Sequence, residues 1–211
     1  MTASMEITKL LNTDVRQGPP TQFHPWHLLA AFYTFCQSPS PIGRYQLGSD
    51  LELGGGSIRS LIRFLREREL IEPVHRQGHQ LSPEGKRHCD KLNQILIKLM
   101  ELPQSSYTVD AFNLGCHLHH MAHHITNGVE QRDAAIQAGA TGATTLIQTS
   151  DPNQLIMPTA YEVKKQDVYQ LIKAFDLHEG DIIIIGSGPT PISAKLGALA
   201  AAISVFKKEA S

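Results

Sequence analysis

Histidines are concentrated in one short stretch of the chain, Cys116-His-Leu-His-His-Met-Ala-His-His124. Imidazole nitrogens and cysteine thiolates are ligands that Zn²⁺, Ni²⁺ and Co²⁺ accept. A helix over this stretch would place histidines at i and i+4 on one face, where each pair can chelate one ion. The candidate ligands are the pairs His119/His123 and His120/His124, with Cys116 or His117 as a further ligand. The pattern indicates a candidate site for Ni²⁺, Co²⁺ or Zn²⁺, and the competing interpretation is a solvated, histidine-rich face.

A second candidate site follows the apolar stretch Asp181–Ile185, where Gly186-Ser-Gly-Pro189 leads into a helix of small residues. Backbone N–H groups and the dipole at a helix N-terminus favour an anion. The stretch lacks the glycine and lysine spacing of a nucleotide-binding loop. The residues expected to shape a small-ligand pocket are Thr144, Thr145, Gly186, Ser187 and Gly188. The alternative is a tight structural turn between a strand and a helix.

Arg132 and Asp133 lie between the apolar residues Val129 and Ile136 in a predicted helix. They either form a local ion pair or face a ligand. Elsewhere in the sequence, no spacing pairs a nucleophile with a general base in a recognised motif. The sequence therefore predicts no catalytic centre.

The first half of the chain contains a helix with an apolar side and an arginine-bearing side. Ile58, Ile62 and Leu65 recur at i, i+4 and i+7, and three arginines repeat that spacing one residue later. Such a helix can pack on a domain and enter the DNA major groove, although a solvated charged face is the alternative. The expected DNA contacts are Arg44, Tyr45, Ser57, Arg59, Ser60, Arg63, Arg66, Arg76 and His79. Of these, Arg44, Tyr45, Arg76 and His79 are expected to hold phosphates.

The elements around the arginine helix predict a winged helix-turn-helix. A helix precedes it, and Ile71–Leu81 has the form of a two-stranded wing turning at Gln77-Gly78. Ser82-Pro83 then begins a helix expected to run to about Leu102. One side of this helix carries Leu92, Ile95, Leu96 and Leu99. This apolar side predicts a homodimer, with packing on the chain's own domain as the alternative.

The second half of the chain alternates strand and helix patterns. Strands are expected near Val109–Leu114, at Ala143–Gln148 with a partner at Leu155–Met157, and at Asp181–Ile185. Helices are expected at 119–138, Lys165–Phe175 and 191–206. The alternation predicts an α/β layer domain. The chain as a whole is expected to be an α+β or α/β protein of two domains, divided as a polar arm (1–24, closed by Gly18-Pro19-Pro20), a winged helix-turn-helix (25–82), a connecting helix (83–103) and the layer domain (104–211).

Composition restricts the class of protein. The 211 residues include 19 Lys and Arg against 20 Asp and Glu, so any attraction to DNA must be local. Three cysteines without a CxxC motif favour a reducing compartment. No signal peptide and no apolar run long enough to span a bilayer are present, which predicts a cytoplasmic protein without a membrane partner.

The stretch Gly128-Val-Glu-Gln-Arg-Asp-Ala-Ala-Ile-Gln-Ala-Gly-Ala-Thr-Gly-Ala-Thr-Thr-Leu146 resembles a family of archaeal transcriptional regulators that join a winged helix-turn-helix to a C-terminal domain of unknown function. Gly180–Gly186 and the Ala- and Gly-rich last helix are similar to that family as well. The resemblance implies a DNA-binding regulator and no known ligand.

The expected function is a non-enzymatic transcriptional regulator. Its N-terminal domain would bind double-stranded operator DNA, and its C-terminal domain would respond to a small-molecule effector or a metal, or mediate assembly. The alternative is an enzyme whose activity lies in the C-terminal domain, with the winged helix in a regulatory role.

Overall fold

The computed structural model describes residues 2–12, 23–158 and 165–209. The chain divides into two compact units, Met1–Asn93 and Gln94–Ser211. None of the described helices is long and apolar enough to cross a membrane.

The first unit consists of helices and one hairpin. Its elements are α1 (Ala3–Leu11), α2 (Pro25–Gln37), α3 (Arg44–Asp50), α4 (Gly55–Glu67), β1 (Ile71–Val74), β2 (Gly78–Leu81) and most of α5 (Pro83–Ile95). The antiparallel β1–β2 pair is extended by a single bridge between Ile42 and His79, so a short strand segment precedes α3. The predicted order of helices and hairpin is therefore confirmed.

Helix α1 corrects the expectation of a polar arm at the N-terminus. Ile7, Leu10 and Leu11 form its buried side. The Glu6 carboxylate oxygen Oε2 lies 3.3 Å from Nη1 of Arg87 in α5. The same carboxylate also contacts Lys91 of α5. An amphipathic helix therefore docks where the sequence suggested an arm; Gly18-Pro19-Pro20 lies outside the described residues.

Helix α5 is shorter than predicted, because it ends at Ile95 and the chain continues as strand β3 (Leu96–Leu102). The strand pairs antiparallel with β4 (Phe112–Leu118), from Leu96 opposite Leu118 to Leu102 opposite Asn113. This ladder pairs one side of the backbone of 96–102, in place of helical hydrogen bonds. The apolar residues Leu92, Ile95, Leu96 and Leu99 thus do not share one helical face, and the homodimer prediction loses the surface on which it rested.

The second unit is built on a five-stranded sheet. The remaining elements are a 3₁₀ helix (Ala122–His124), α6 (Val129–Gln137), β5 (Gly142–Gln148), β6 (Leu155–Ile156), α7 (Lys165–Phe175), β7 (Ile182–Gly188) and α8 (Pro191–Glu209). The strand order is β3-β4-β7-β5-β6, and every neighbouring pair is antiparallel. The unit is therefore an α+β fold, and its described strands form no parallel edge of the kind at which an α/β crevice opens.

Strand β7 occupies the centre of the sheet and is buried throughout. Ile183 and Ile185 belong to a core that includes Leu171 and Phe175 of α7. Strand residues alternate between faces, and Gly186 meets the backbone of α8, so helices cover both faces of β7. This confirms the strand predicted as buried on both faces, although it extends three residues further than the apolar run.

The other predicted elements of the second half are confirmed in part. Strands β5 and β6 and helix α7 form at the predicted positions. Strand β4 begins at Phe112, so Val109 precedes it. The helix predicted over 119–138 is instead a turn, the 3₁₀ helix and α6, because His120 and Gly128 both adopt left-handed backbone conformations.

Candidate functional site

Helix α4 separates an apolar side from an arginine side as the spacing predicts. Ile58, Ile62 and Leu65 are buried. The three arginines of the stripe, Arg59, Arg63 and Arg66, are all exposed. The helix therefore presents a row of guanidinium groups to solvent while its opposite side packs in the core.

A groove of about 630 Å³ lies between α3 and the start of α4. Arg44, Tyr45, Gly55 and Arg59 are among its lining residues. The Arg44 guanidinium stands 4.6 Å from the Tyr45 ring centroid and donates a hydrogen bond to the Tyr45 hydroxyl at 2.7 Å. Gly54 begins α4 without a side-chain cap. The N–H groups of the first turn and two arginines thus border one opening, an arrangement that suits a phosphate.

Ser57 and His79 are less suited to DNA contact than predicted. Ser57 is only 8% exposed, so little of its surface is accessible to DNA; Ser60 is half-buried. His79 is also half-buried, and burial together with the nearby Arg66 charge lowers the pKa of its imidazole. A neutral ring does not serve as a cation for a phosphate. Arg76, by contrast, is exposed in the turn between β1 and β2.

The predicted metal ligands do not come together as two helical pairs. Cys116 lies inside β4 and is fully buried, which raises the pKa of its thiol and removes it from the candidate ligands. His123 and His124 lie in the 3₁₀ helix, with ring centroids 3.9 Å apart. Neither belongs to the group formed by His119, His120 and Asp181.

His119 and His120 meet Asp181, a residue not predicted as a ligand. One side-chain ligand atom from each lies within 4.8 Å of the other two. Asp181 directly precedes β7 and is fully buried, whereas His120 is exposed. In the sequence, Asp181 is visible as a single carboxylate at the start of an apolar strand. Burial of an unpaired carboxylate is costly, so such a residue is expected to have a partner. We call His119, His120 and Asp181 the histidine–aspartate group.

Among the described residues, four groups donate to or contact the Asp181 carboxylate. His117 Nε2 lies 2.9 Å from Oδ2, and His119 Nδ1 lies 2.9 Å from Oδ1. The backbone N–H of His120 donates to Oδ1 at 3.0 Å and that of His178 donates to Oδ2 at 2.9 Å. Burial alone would raise the pKa of Asp181, but the hydrogen bonds from His117 and the two amides hold it well below its usual range. The carboxylate is therefore ionised and fixed in orientation.

Gly186, Ser187 and Gly188, predicted to form a turn around an anion, belong instead to strand β7. The buried Ser187 hydroxyl donates to Asn113 Oδ1 at 2.6 Å and accepts from the Val109 N–H at 3.3 Å. Thr144 and Thr145 lie opposite Ile185 and Ile184 in the sheet. These contacts are those of residues with a structural role in the sheet, and a ligand role for them stays a prediction.

Arg132 and Asp133 form a local ion pair. The Arg132 Nη2–Asp133 Oδ1 distance is 2.9 Å, and both side chains are about half exposed on α6 (54% and 53%). This contact is the local ion pair that was the alternative to a ligand-facing role.

Two of the three cysteines are paired, although the absence of a CxxC motif favoured a reducing compartment. Cys36 of α2 and Cys89 of α5 form a disulfide, with Cα atoms 5.7 Å apart. Both belong to the first unit. Cysteine content therefore gives no support to a reducing compartment.

Comparison with known proteins finds matches to both halves of the chain. Residues 31–87 match the PH0730-like, N-terminal domain, and residues 109–205 match a domain of unknown function (DUF4443). No protein with curated annotation matches the sequence. A solved structure, hypothetical protein PH0730 from Pyrococcus horikoshii OT3, has a TM-score of 0.69 and 27% sequence identity, with 90% of this chain and 96% of that chain covered. The chain is therefore similar along nearly its whole length to an archaeal protein, and its second half matches a domain of unknown function, as the sequence resemblance implied.

Proposed function

We propose that the protein is a transcriptional regulator whose first unit binds double-stranded DNA as a winged helix-turn-helix. The order of elements supports this: α2, the strand segment at Ile42, α3, α4 and then the β1–β2 hairpin. In such a domain the second helix of the turn enters the major groove and the hairpin lies beside the duplex. In this proposal α4 is the helix that enters the groove and the Arg76 turn belongs to the hairpin beside the duplex.

The observation that carries the proposal is the division of α4 into two sides. Its buried residues fix the helix to the unit, while Arg59, Arg63 and Arg66 are exposed together. Arginine forms bidentate hydrogen bonds with guanine in the major groove. A rigid helix with three such side chains on its outer side is suited to read base edges.

The groove beside α4 supplies phosphate contacts in the same proposal. Arg44 and Tyr45 border it from α3, and Gly54 and Gly55 leave the backbone N–H groups at the start of α4 accessible. Tyr45 is 79% exposed, so its hydroxyl can donate a hydrogen bond to a phosphate oxygen of the DNA backbone. These contacts would position α4 on the duplex without reading its sequence.

The net charge of −1 makes this local surface decisive. Because no global positive field draws the chain to nucleic acid, non-specific affinity should be weak and should fall steeply with salt. The second unit then has the regulatory or assembly role. A homodimer would let two α4 helices reach half-sites about one helical turn apart, through a surface other than the predicted α5 face.

Selection from a pool of random duplexes tests the proposal. The full chain should enrich a defined sequence. The Arg63→Ala variant should bind that sequence about 5- to 150-fold more weakly, the loss expected for one base-reading arginine. Arg132→Ala removes an exposed arginine from the second unit and should bind as the wild type does.

Thermal unfolding separates loss of binding from loss of fold. Because Arg63 is exposed on α4, Arg63→Ala should leave the melting temperature of the protein nearly unchanged. Failure of the wild-type chain to enrich any duplex would overturn the proposal. Equal binding by Arg63→Ala and wild type would remove α4 from the DNA interface.

A further inference from the structure

We propose that the histidine–aspartate group binds one divalent transition-metal ion through His119, His120 and Asp181. The site lies wholly within the second unit, and it does not depend on DNA binding by the first. Two imidazoles and one carboxylate suit Zn²⁺, Ni²⁺ or Co²⁺ rather than Mg²⁺ or Ca²⁺, which prefer oxygen ligands throughout.

The distances in the group match those around a single ion. Zinc–nitrogen and zinc–oxygen bonds near 2.0–2.1 Å place tetrahedral ligand atoms about 3.3 Å apart. His119 Nδ1 and Asp181 Oδ1 are 2.9 Å apart, and all three ligand atoms lie within 4.8 Å of one another. An ion that replaces the proton between His119 and Asp181 therefore requires the three ligand atoms, now within 4.8 Å of one another, to adjust to separations of about 3.3 Å.

The backbone at His120 brings two consecutive histidines to the same side. In a continuing strand their side chains would point to opposite faces of the sheet. His120 instead has φ of 52°, a left-handed conformation that ends the strand geometry, and the two ring centroids are 4.1 Å apart. Such a conformation is uncommon for residues other than glycine, and histidine is among the few that adopt it more often. It is the feature that makes a chelating pair of neighbours.

Gly180 leaves space for the His120 ring. Its φ is +85°, and a Cβ at this position would lie 3.0 Å from His120 Nδ1. The Gly180 carbonyl also accepts a hydrogen bond from the Ala122 N–H at 3.0 Å, which ties the turn after β4 to the loop before β7. The two halves of the site, about sixty residues apart in the chain, are thus held together by backbone contacts.

Hydrogen bonds hold the Asp181 carboxylate ready for an ion. Its Oδ2 accepts from His117 Nε2 and from the His178 N–H, while Oδ1 accepts from the His120 N–H and faces His119. Nδ1 of the buried His117 finds no partner among the described residues, so the Nε2–H tautomer that donates to Asp181 fits its surroundings. Such outer contacts orient metal ligands and raise affinity.

The group is accessible from solvent on its histidine side. The His119 side chain is 41% exposed and the Asp181 side chain 0% exposed, so an ion would bridge a buried anion and a solvated ring. His178, with a side chain 69% exposed, has Nδ1 3.9 Å from Asp181 Oδ2 at the rim of the site. Three ligands and an open position for water or His178 complete a four-coordinate ion.

Titration of the untagged, metal-free full chain with Co²⁺ and Zn²⁺ tests the proposal. We expect one ion per chain by calorimetry, visible absorption of bound Co²⁺ and a rise in melting temperature. His119→Gln and His120→Asn should each weaken binding by about tenfold or more. Asparagine is chosen at 120 because it tolerates the left-handed backbone, so the fold is retained without the imidazole.

His123→Asn is the matched control, since it removes an exposed histidine four residues from His119 that is outside the group. It should bind Co²⁺ as tightly as the wild type. Equal affinity in all four proteins would assign binding to other histidines and overturn the proposal. Absence of binding below millimolar Co²⁺ and Zn²⁺ would also overturn it, and would leave the group as a hydrogen-bonded turn.

Discussion

Gly186 in β7 lies directly against Ala194 in α8. A Cβ on Gly186 would overlap the Ala194 carbonyl oxygen and lie 2.5 Å from the Ala198 backbone nitrogen. Both obstacles are main-chain atoms of a helix, which cannot rotate away. The glycine of the predicted ligand turn is therefore the residue that lets a helix approach the centre of the sheet.

Gly186→Ala should accordingly destabilise the second unit by about 3 kcal/mol, at the upper end of the cost of overpacking. Chemical unfolding followed by far-ultraviolet circular dichroism measures this loss. Gly142→Ala is the control, because a Cβ at Gly142 of the neighbouring strand β5 would meet its nearest atoms at 3.6 Å. A Gly186→Ala protein as stable as Gly142→Ala would contradict the packing described here.

The Cys36–Cys89 disulfide determines how many cysteines can react with a thiol reagent. Without reductant, the unfolded chain should react with a thiol reagent at one cysteine, Cys116, and at three after reduction. Reduction should also lower the melting temperature of the first unit, since the bond closes a loop of 53 residues, worth about 4 kcal/mol in the chain-entropy model. The Cys36→Ser/Cys89→Ser double variant should show no effect of reductant. Three reactive thiols without reductant would show that the pair does not bond.

Helix α2 makes stability depend on pH. The His24 backbone N–H donates to His27 Nδ1 at 3.1 Å, which requires a neutral ring. Burial, followed by the charge of His24, lowers the pKa of His27 to about 4, whereas an unfolded histidine titrates near 6.5. Between these values the unfolded chain binds the proton more readily. The stability that neutral His27 contributes to the fold is therefore complete above about pH 6.5. It is lost as the pH falls toward 4.

His27→Gln tests this dependence, because glutamine keeps an acceptor for the His24 N–H and does not titrate. We expect its melting temperature to fall less between pH 7 and pH 4.5 than that of the wild type. His75→Gln changes an exposed histidine in the hairpin turn and should retain the wild-type dependence. If melting temperature falls with pH equally in His27→Gln and wild type, His27 is not the source of the pH dependence.

The parts of the fold that could be predicted from the sequence are those set by local periodicity. The two sides of α4 follow from a repeat of 3.6 residues, and the burial of β7 follows from a run of isoleucines. Strand β3 could not be found in this way, because Leu92, Ile95, Leu96 and Leu99 also fit a helix. Its identity is decided by pairing with β4, more than ten residues later.

The histidine–aspartate group was partly predictable for a similar reason. Clustered imidazoles are visible in the sequence, and they drew attention to His119 and His120. Their partner Asp181 stands 62 residues beyond His119 and meets it only after β4 and β7 have paired. The left-handed backbone of His120, which replaces the predicted helical pairs, likewise depends on the loop that carries Gly180.

The hairpin turn supplies the last prediction. Arg76 is exposed there with φ of 59°, so asparagine is a better replacement than alanine, since it tolerates this backbone. If Arg76 holds a phosphate, Arg76→Asn should weaken binding to the selected duplex and to a scrambled duplex by the same factor. The slope of log affinity against log salt should decrease in magnitude by about 0.9, one phosphate contact. His75→Asn, in the same turn, should change neither quantity. A loss confined to the selected duplex would mean that Arg76 reads bases, and an unchanged slope would place the hairpin away from the DNA.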